Sequence, residues 1–186
     1  SRGLGDVYKR QADNLEEYNH QLDKLVSMIQ GLDADVVGLM EIQNNGYGED
    51  SAIKALVDAI NARLGADTYD YIKGPFNNGS ESTAGNDAIM VGMIYKPANV
   101  TPVGSAVVPD TDEYPAFANG NRVPLAQAFE SNKDGEQFSV VVNHFKSKGS
   151  VIDPDQQDGQ GNNPITRLEA AQQLKQWMDT DPTGTG

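Results

Sequence analysis

Apolar residues in the first third of the chain recur twice at helical spacing, with a short unbroken apolar run between the two stretches. Leu15, Tyr18, Leu22, Leu25, Val26 and Ile29 share one helical face after Asn14, a residue type that caps helix starts, and Gly31 is placed to end the turn. The run Asp35–Met40 (DVVGLM) is too brief for a helix and is bounded by acids, so it predicts a buried strand ending at Glu41. Asp50 or Ser51 then caps a second helix, in which Ile53, Leu56, Val57, Ile60 and Leu64 recur before Gly65.

The middle of the chain reads as strands. Tyr69–Ile72 predicts a short one, Phe76–Asn86 a loop rich in Gly, Asn and Ser, and Ala88–Tyr95 a further strand that Pro97 ends. Val100–Val108 is β-branched, whereas Pro109–Asn121 carries so much Pro, Asp and Gly that it predicts a polar connection outside the core. Leu125–Phe129 and Phe138–Val142 flank Asn132-Lys-Asp-Gly135, whose Asp-Gly suits a hairpin turn, and the second of these strands delivers Asn143 and His144 at its end. A long polar loop, Gly149–Asn163, precedes a last helix opened by Pro164, with Ile165, Leu168, Ala171, Leu174 and Met178 on one face until Asp181-Pro182. Helices interleaved with buried strands, plus one hairpin, predict an α/β layered domain with a mixed sheet covered by helices.

Composition narrows this picture without changing it. With 186 residues, 38% hydrophobic and 22% charged, the chain suits one domain with a substantial core and is too apolar for a disordered tail. A formal net charge of −13 excludes a protein that grips nucleic acid through a broad basic surface, but leaves room for an enzyme that screens phosphate with bound cations and a few local basic groups. The absence of cysteine excludes disulfides and thiolate metal sites. No apolar run approaches the roughly 20 residues of a membrane span. Residues 1–11 lack periodicity and predict a non-native or disordered leader, and Thr180–Gly186 has turn composition that would lead into another strand, so residues 12–186 are expected to form an incomplete domain.

Two places carry chemistry. Glu41, at the end of a buried strand and followed by Asn and Gly, offers a rigidly held carboxylate that suits a hard divalent cation; the plainer reading is an ordinary charged residue where a strand meets solvent. Asn143-His144, running into Lys146-Ser-Lys148-Gly149, sets an imidazole beside amide, hydroxyl and cationic groups able to bind a phosphate; the plainer reading is a structural histidine and a solvated basic turn. Asp153, Asp155 and Asp158 mimic a calcium loop, yet Pro164 stands where its bidentate Glu belongs, so they predict a solvated acidic loop. Trp177 and the tyrosines lack the spacing of a base-stacking platform and read as packing.

Taken in order, Asp35–Gly46 (DVVGLMEIQNNG), Gly85–Pro97 (GNDAIMVGMIYKP), Asn121–Phe129 (NRVPLAQAF) and Val140–Gly149 (VVVNHFKSKG) resemble the extracellular-nuclease branch of the endonuclease/exonuclease/phosphatase superfamily. Pancreatic-type deoxyribonucleases are more distant relatives. The resemblance runs from about Ala12 to Gly186 and is most specific at Glu41 and His144. It implies a four-layer α/β sandwich with a mixed, largely antiparallel sheet flanked by helices, and hydrolysis of a phosphodiester by water with Mg2+ or Mn2+, Ca2+ being an alternative. By the same resemblance Glu41 would hold the metal, His144 would donate a hydrogen bond to a phosphate oxygen, and Arg122 and Lys146 would bind phosphate. Asp87 and Asn143 join His144 as catalytic candidates, with a turn-bonding role for Asp87 and a surface ion pair for Arg122 as alternatives.

DNA is the substrate this likeness implies, with RNA as an alternative, in an extracellular or cell-surface setting and without a membrane or an obligate protein partner. The chain departs from the family pattern in one respect. Relatives carry an Asn on a strand before the first helix, a Gly-Asp-x-Asn strand and a Ser-Asp-His-type segment, none of which occurs in this sequence. The water-activating Asp and a second His would fall beyond Gly186, so little or no catalysis is expected of this stretch alone. The rival expectations are a phosphodiesterase or phosphatase for lipids or nucleotides, and a non-catalytic binding scaffold.

Overall fold

A computed structural model describes residues 15–77, 81–82, 85, 87–118 and 120–185. Helix α1 (Leu15–Leu32) leads into strand β1 (Val36–Gln43), helix α2 (Ala52–Leu64) and the short strand β2 (Asp70–Tyr71). A small ribbon, β3 (Phe76–Asn77) with β4 (Glu81–Ser82), precedes β5 (Ile89–Tyr95) and β6 (Val100–Val107). A 3-10 turn (Pro115–Phe117) leads to the hairpin β7 (Leu125–Ser131) and β8 (Gln137–Val142), and α3 (Pro164–Met178) closes the order.

The strands form two three-stranded sheets, ordered β1-β5-β2 and β6-β7-β8. Of the mixed, largely antiparallel sheet expected, every pair among the described residues is antiparallel. Alternation of side chains along each strand then fixes the layers. On β5, Met90 and Ile94 pack with Ile29, Ile53 and Ile60 of α1 and α2, whereas Val91 and Met93 face Leu125, Phe129 and Val142 of the other sheet. On β7, Ala126 turns the opposite way, toward Tyr114, Phe117, Ala170 and Trp177. The result is a four-layer sandwich: α1 and α2, the first sheet, the second sheet, then α3. Each fully buried aliphatic side chain in these layers contributes roughly 1.5–3 kcal/mol.

Several sequence expectations shift by a turn or a face. Helix α1 runs past Gly31 to Leu32 and is turned by Asp33, which adopts a left-handed φ of 47°. Asp tolerates that conformation better than most side chains. Ser51 rather than Asp50 caps α2, its Oγ accepting from the Lys54 amide at 3.3 Å. The expected leader and the Asn14 cap lie outside the described residues. The expected loop Phe76–Asn86 contains the β3–β4 ribbon, its remaining residues being described only at Gly85.

Pro109–Asn121 is not excluded from the core: Tyr114, Ala116 and Phe117 are buried against α3. Average polarity hid a local aromatic anchor, and Pro115 supplies the fixed φ that opens the 3-10 turn. Helix α3 is also rotated from its expected face. Ile165 and Leu168 point outward, 49% and 58% exposed, while Thr166, Ala170 and Trp177 point inward. Trp177 joins Tyr114, Phe117 and Val123 in that inner cluster, and Leu174 and Met178 of the expected face pack at its edge.

The two sheets approach closely where β1 passes β8. A Cβ on Gly38 would lie 2.7 Å from Val142 Cγ2, so only a residue without a side chain fits there. Gly38→Ala is expected to lower the urea midpoint by an amount equivalent to about 1–3 kcal/mol. Combining it with Val142→Ala should recover much of that loss relative to the sum of the two single losses. Strict additivity of the single variants would refute the contact.

Candidate active site

Strand β1 does not end at Glu41, as the sequence led us to expect, but bulges there. Leu39 pairs with Gly92 and Ile42 with Met90, so Met40 and Glu41 together stand opposite the single residue Val91. The extra residue lets Leu39 and Ile42 both face the helices although they are three positions apart, and it pushes Glu41 out at the tip of the sandwich. Glu41 adopts a φ of 61° and its side chain is 61% exposed. A non-glycine residue in this region carries about 1 kcal/mol or more of backbone strain, a feature concentrated at functional sites.

His144 lies two residues beyond the end of β8. Its side chain is 22% exposed, with Nε2 4.0 Å from Glu41 Oε1. The two groups thus come from the tips of different sheets and meet in one space. The other ring nitrogen, Nδ1, is buried without a hydrogen-bond partner among the described residues. Leaving a buried polar atom unsatisfied costs about 1–3 kcal/mol.

The Arg122 amide donates to His144 O at 3.1 Å, which ties the segment before β7 to the segment after β8. Arg122 Nε lies 3.2 Å from Asp87 Oδ2, a charge contact that does not reach hydrogen-bond geometry. The loop carrying Asp87 is itself fastened to β1: Asn44 Nδ2 donates to Gly85 O at 2.8 Å and to Asp87 O at 3.0 Å. Gly85 has a φ of 87°, and a Cβ there would meet Val123 Cγ2 at 2.9 Å, so the loop is pressed between Asn44 and the residue after Arg122. Glu41, His144, Arg122 and Asp87 are therefore linked in a ring that closes through Asn44.

Lys146 departs from the phosphate-binding role expected of it. Its ammonium donates to the carbonyls of Ser147 and Gly149, and the residue is buried, so this cation organises its own loop. Asn143 is half-buried beside His144. Among the described residues no group of three or more His, Asp or Glu side chains could by itself hold a metal.

Three supporting residues were not singled out from the sequence. Gly38 was detectable as an isolated glycine inside an apolar strand, a sign of close backbone approach. Asn44 belongs to an Asn-Asn-Gly run that reads as an ordinary turn. Asn121 is buried and accepts from the Lys146 amide at 2.7 Å while donating to Ala116 O at 3.0 Å, joining the 3-10 turn to the segment after His144. In the sequence it stands out only as the first residue of the Asn121–Phe129 stretch.

The loop between Gly149 and α3 is equally ordered. Asn163, fully buried, accepts from the Ile152 amide at 2.7 Å and donates to Ser147 O at 2.7 Å. Asp153 caps α3 from a distance, accepting from the Ile165 amide at 2.9 Å and from the Thr166 hydroxyl. Burial raises the Asp153 carboxyl, but the Thr166 hydroxyl, the Ile165 and Thr166 amides and the Arg167 charge together hold it below the ordinary carboxylate value.

No family model matches the sequence and no curated protein matches it significantly, but solved structures do. An endonuclease/exonuclease/phosphatase family protein from Bacteroides thetaiotaomicron superposes on 97% of this chain with a TM-score of 0.58 at 12% identity. A humanized D. rerio TDP2 carrying 14 mutations superposes on 90% with a TM-score of 0.50 at 14% identity. The chain has the endonuclease/exonuclease/phosphatase fold. It spans about half the length of these two structures, 55% and 54% respectively. Within that fold the Glu41–His144 space opens where strand tips of both sheets converge.

Two measurements test this geometry. Glu41→Gly should be more stable than Glu41→Ala by about 1 kcal/mol, because only glycine adopts the positive φ freely; in a regular strand the order reverses. For Asp153, a folded-state value below the unfolded one means stability present above about pH 4 and lost as the pH falls through the folded value. The urea-midpoint gap between wild type and Asp153→Asn should therefore be constant near neutrality and shrink on acidification. A gap that widens in acid would refute the capping role.

Proposed function

We propose that this chain carries part of the active site of a divalent-metal-dependent phosphodiesterase, a nuclease with DNA as its leading substrate. The observation that carries the reading is the 4.0 Å approach of Glu41 Oε1 and His144 Nε2 at the tips of two sheets, with Arg122 bonded through its backbone to His144. A carboxylate, an imidazole and a guanidinium around one exposed space suit a phosphate diester: anionic, tetrahedral and rich in acceptors. The family name of the Bacteroides thetaiotaomicron neighbour supports the same class of chemistry. An extracellular setting is part of this proposal and rests on the sequence resemblance.

The oxygen donor at this site suits a hard divalent cation. Glu41 offers an exposed hard oxygen on a rigid bulge, and Mg2+ keeps several waters while taking one or two carboxylates together with substrate phosphate oxygens. That demand fits a single described carboxylate, so Glu41 would hold Mg2+ or Mn2+. When bound, such an ion polarises the phosphoryl group and offsets the charge that grows in the transition state.

The remaining work falls to side chains of the chain itself. His144 would donate from Nε2 to a non-bridging phosphate oxygen. Arg122 would orient the phosphate through its planar fork, with Asp87 keeping the guanidinium in place. Asn143 lies next to His144 in the chain and would contribute an amide at the same phosphate.

The test uses the longest natural form of the protein that contains this chain, on plasmid DNA, RNA, sphingomyelin and inositol phosphates. Cleavage of DNA should require Mg2+ or Mn2+, stop with chelator, and fall about 100-fold or more in Glu41→Gln and in His144→Asn. Isothermal titration of the chain with Mn2+ should lose its heat in Glu41→Ala. Undiminished cleavage by Glu41→Gln would refute the proposal, and preference for a lipid or inositol phosphate would overturn the nuclease assignment within it.

A further inference from the structure

We infer that Asn44 is a positioning residue: its carboxamide sets where Asp87, and through Asp87 the Arg122 guanidinium, stand relative to Glu41. The inference rests on the active site proposed above and adds to it a residue that touches neither substrate nor metal. Both hydrogens of the Asn44 amide are used on one loop, at Gly85 O and Asp87 O, 2.8 and 3.0 Å away. Its backbone N–H donates to Ala88 O at 3.0 Å, so side chain and main chain together clamp the segment entering β5. The paired strands themselves stop short of this clamp, since β1 ends at Gln43 opposite Ile89.

The clamp has a partner on its far side. Gly85 lies against Val123, the residue after Arg122, with no room for a Cβ. Asp87 is thus fixed from β1 by Asn44 and from the Arg122 segment by that close approach, and its carboxylate meets Arg122 Nε at 3.2 Å. Asn44 is three residues from Glu41 on the same strand end, so one short piece of backbone sets both the carboxylate and the loop that holds the guanidinium. Only asparagine provides two donors on so short an arm. Aspartate would aim a charge at two carbonyls, and alanine would leave them to water.

Because the Asn44 to Asp87 bond is solvent-exposed, its loss should disturb geometry more than stability. The test is read first by nuclear magnetic resonance on the isotope-labelled chain, following the Arg122 Nε–H signal, assigned by its disappearance in Arg122→Lys. Asn44→Ala and Asn44→Asp should move that signal in the direction produced by Asp87→Asn, with the thermal midpoint lowered by only a few degrees. An Arg122 signal unmoved in both Asn44 variants would overturn the inference. A second arm measures cleavage of bis(p-nitrophenyl) phosphate with Mn2+ by the longest natural form of the protein. Asn44→Ala should lower kcat/KM about ten- to a hundredfold and add nothing in an Asp87→Asn background. Additive losses would overturn it as well. A wild type without activity would sink the proposed function alone, since the resonance arm still decides the role of Asn44.

Discussion

The close approach of two β-sheets at Gly38 and Val142 is the constraint on which the rest of this structure depends. Sheets packed face to face normally stand about 10 Å apart, separated by interdigitating side chains. At this crossing one side chain is missing, and a Cβ in its place would be only 2.7 Å from Val142 Cγ2. Glu41 follows Gly38 by three residues and His144 follows Val142 by two. Bringing the strands together at that point converges their tips, and the bulge at Met40 and Glu41 then turns the carboxylate toward the imidazole.

Around this crossing the ordering of loops falls to buried or half-buried amides rather than to apolar contacts. Asn44 holds the Asp87 loop, Asn121 holds the segment after His144, and Asn163 holds the loop that leads to α3. Each satisfies backbone groups that lie beyond the sheet ladders, which is the demand any ordered loop must meet. An amide suits the task because it donates and accepts at once without bringing a charge into the site. The charged groups at the strand tips, Glu41, Arg122 and Asp87, stay partly exposed, where solvation of the charge is retained.

This division also accommodates the acidity of the chain. A net charge of −13 works against long-range attraction of a polyanion, so any phosphate affinity must be local. The Lys146 ammonium is taken up by its own loop, and Arg122 is set beside His144 by a backbone hydrogen bond. On the function proposed above, recognition would depend on short-range directed contacts and a bound cation rather than on a broad basic surface.

The sequence by itself determined the elements and much of their order. Helical periodicity placed α1 and α2, the apolar run at Asp35–Met40 placed β1, and Asp134-Gly135 placed the β7–β8 hairpin, because each signal is local and repeats within a few residues. It also marked Glu41 and His144, as polar groups at the ends of apolar runs. What only the tertiary structure decided is non-local. The rotation of α3 about Trp177, the burial of Tyr114 and Phe117 in a polar segment, and the loop-bound state of Lys146 depend on neighbours distant in the chain. The same is true of the left-handed backbone at Glu41, which the register against Val91 imposes, and of the 4.0 Å between Glu41 and His144. Periodicity tells a residue which face it occupies, but only the packing of one layer on another tells it what stands opposite.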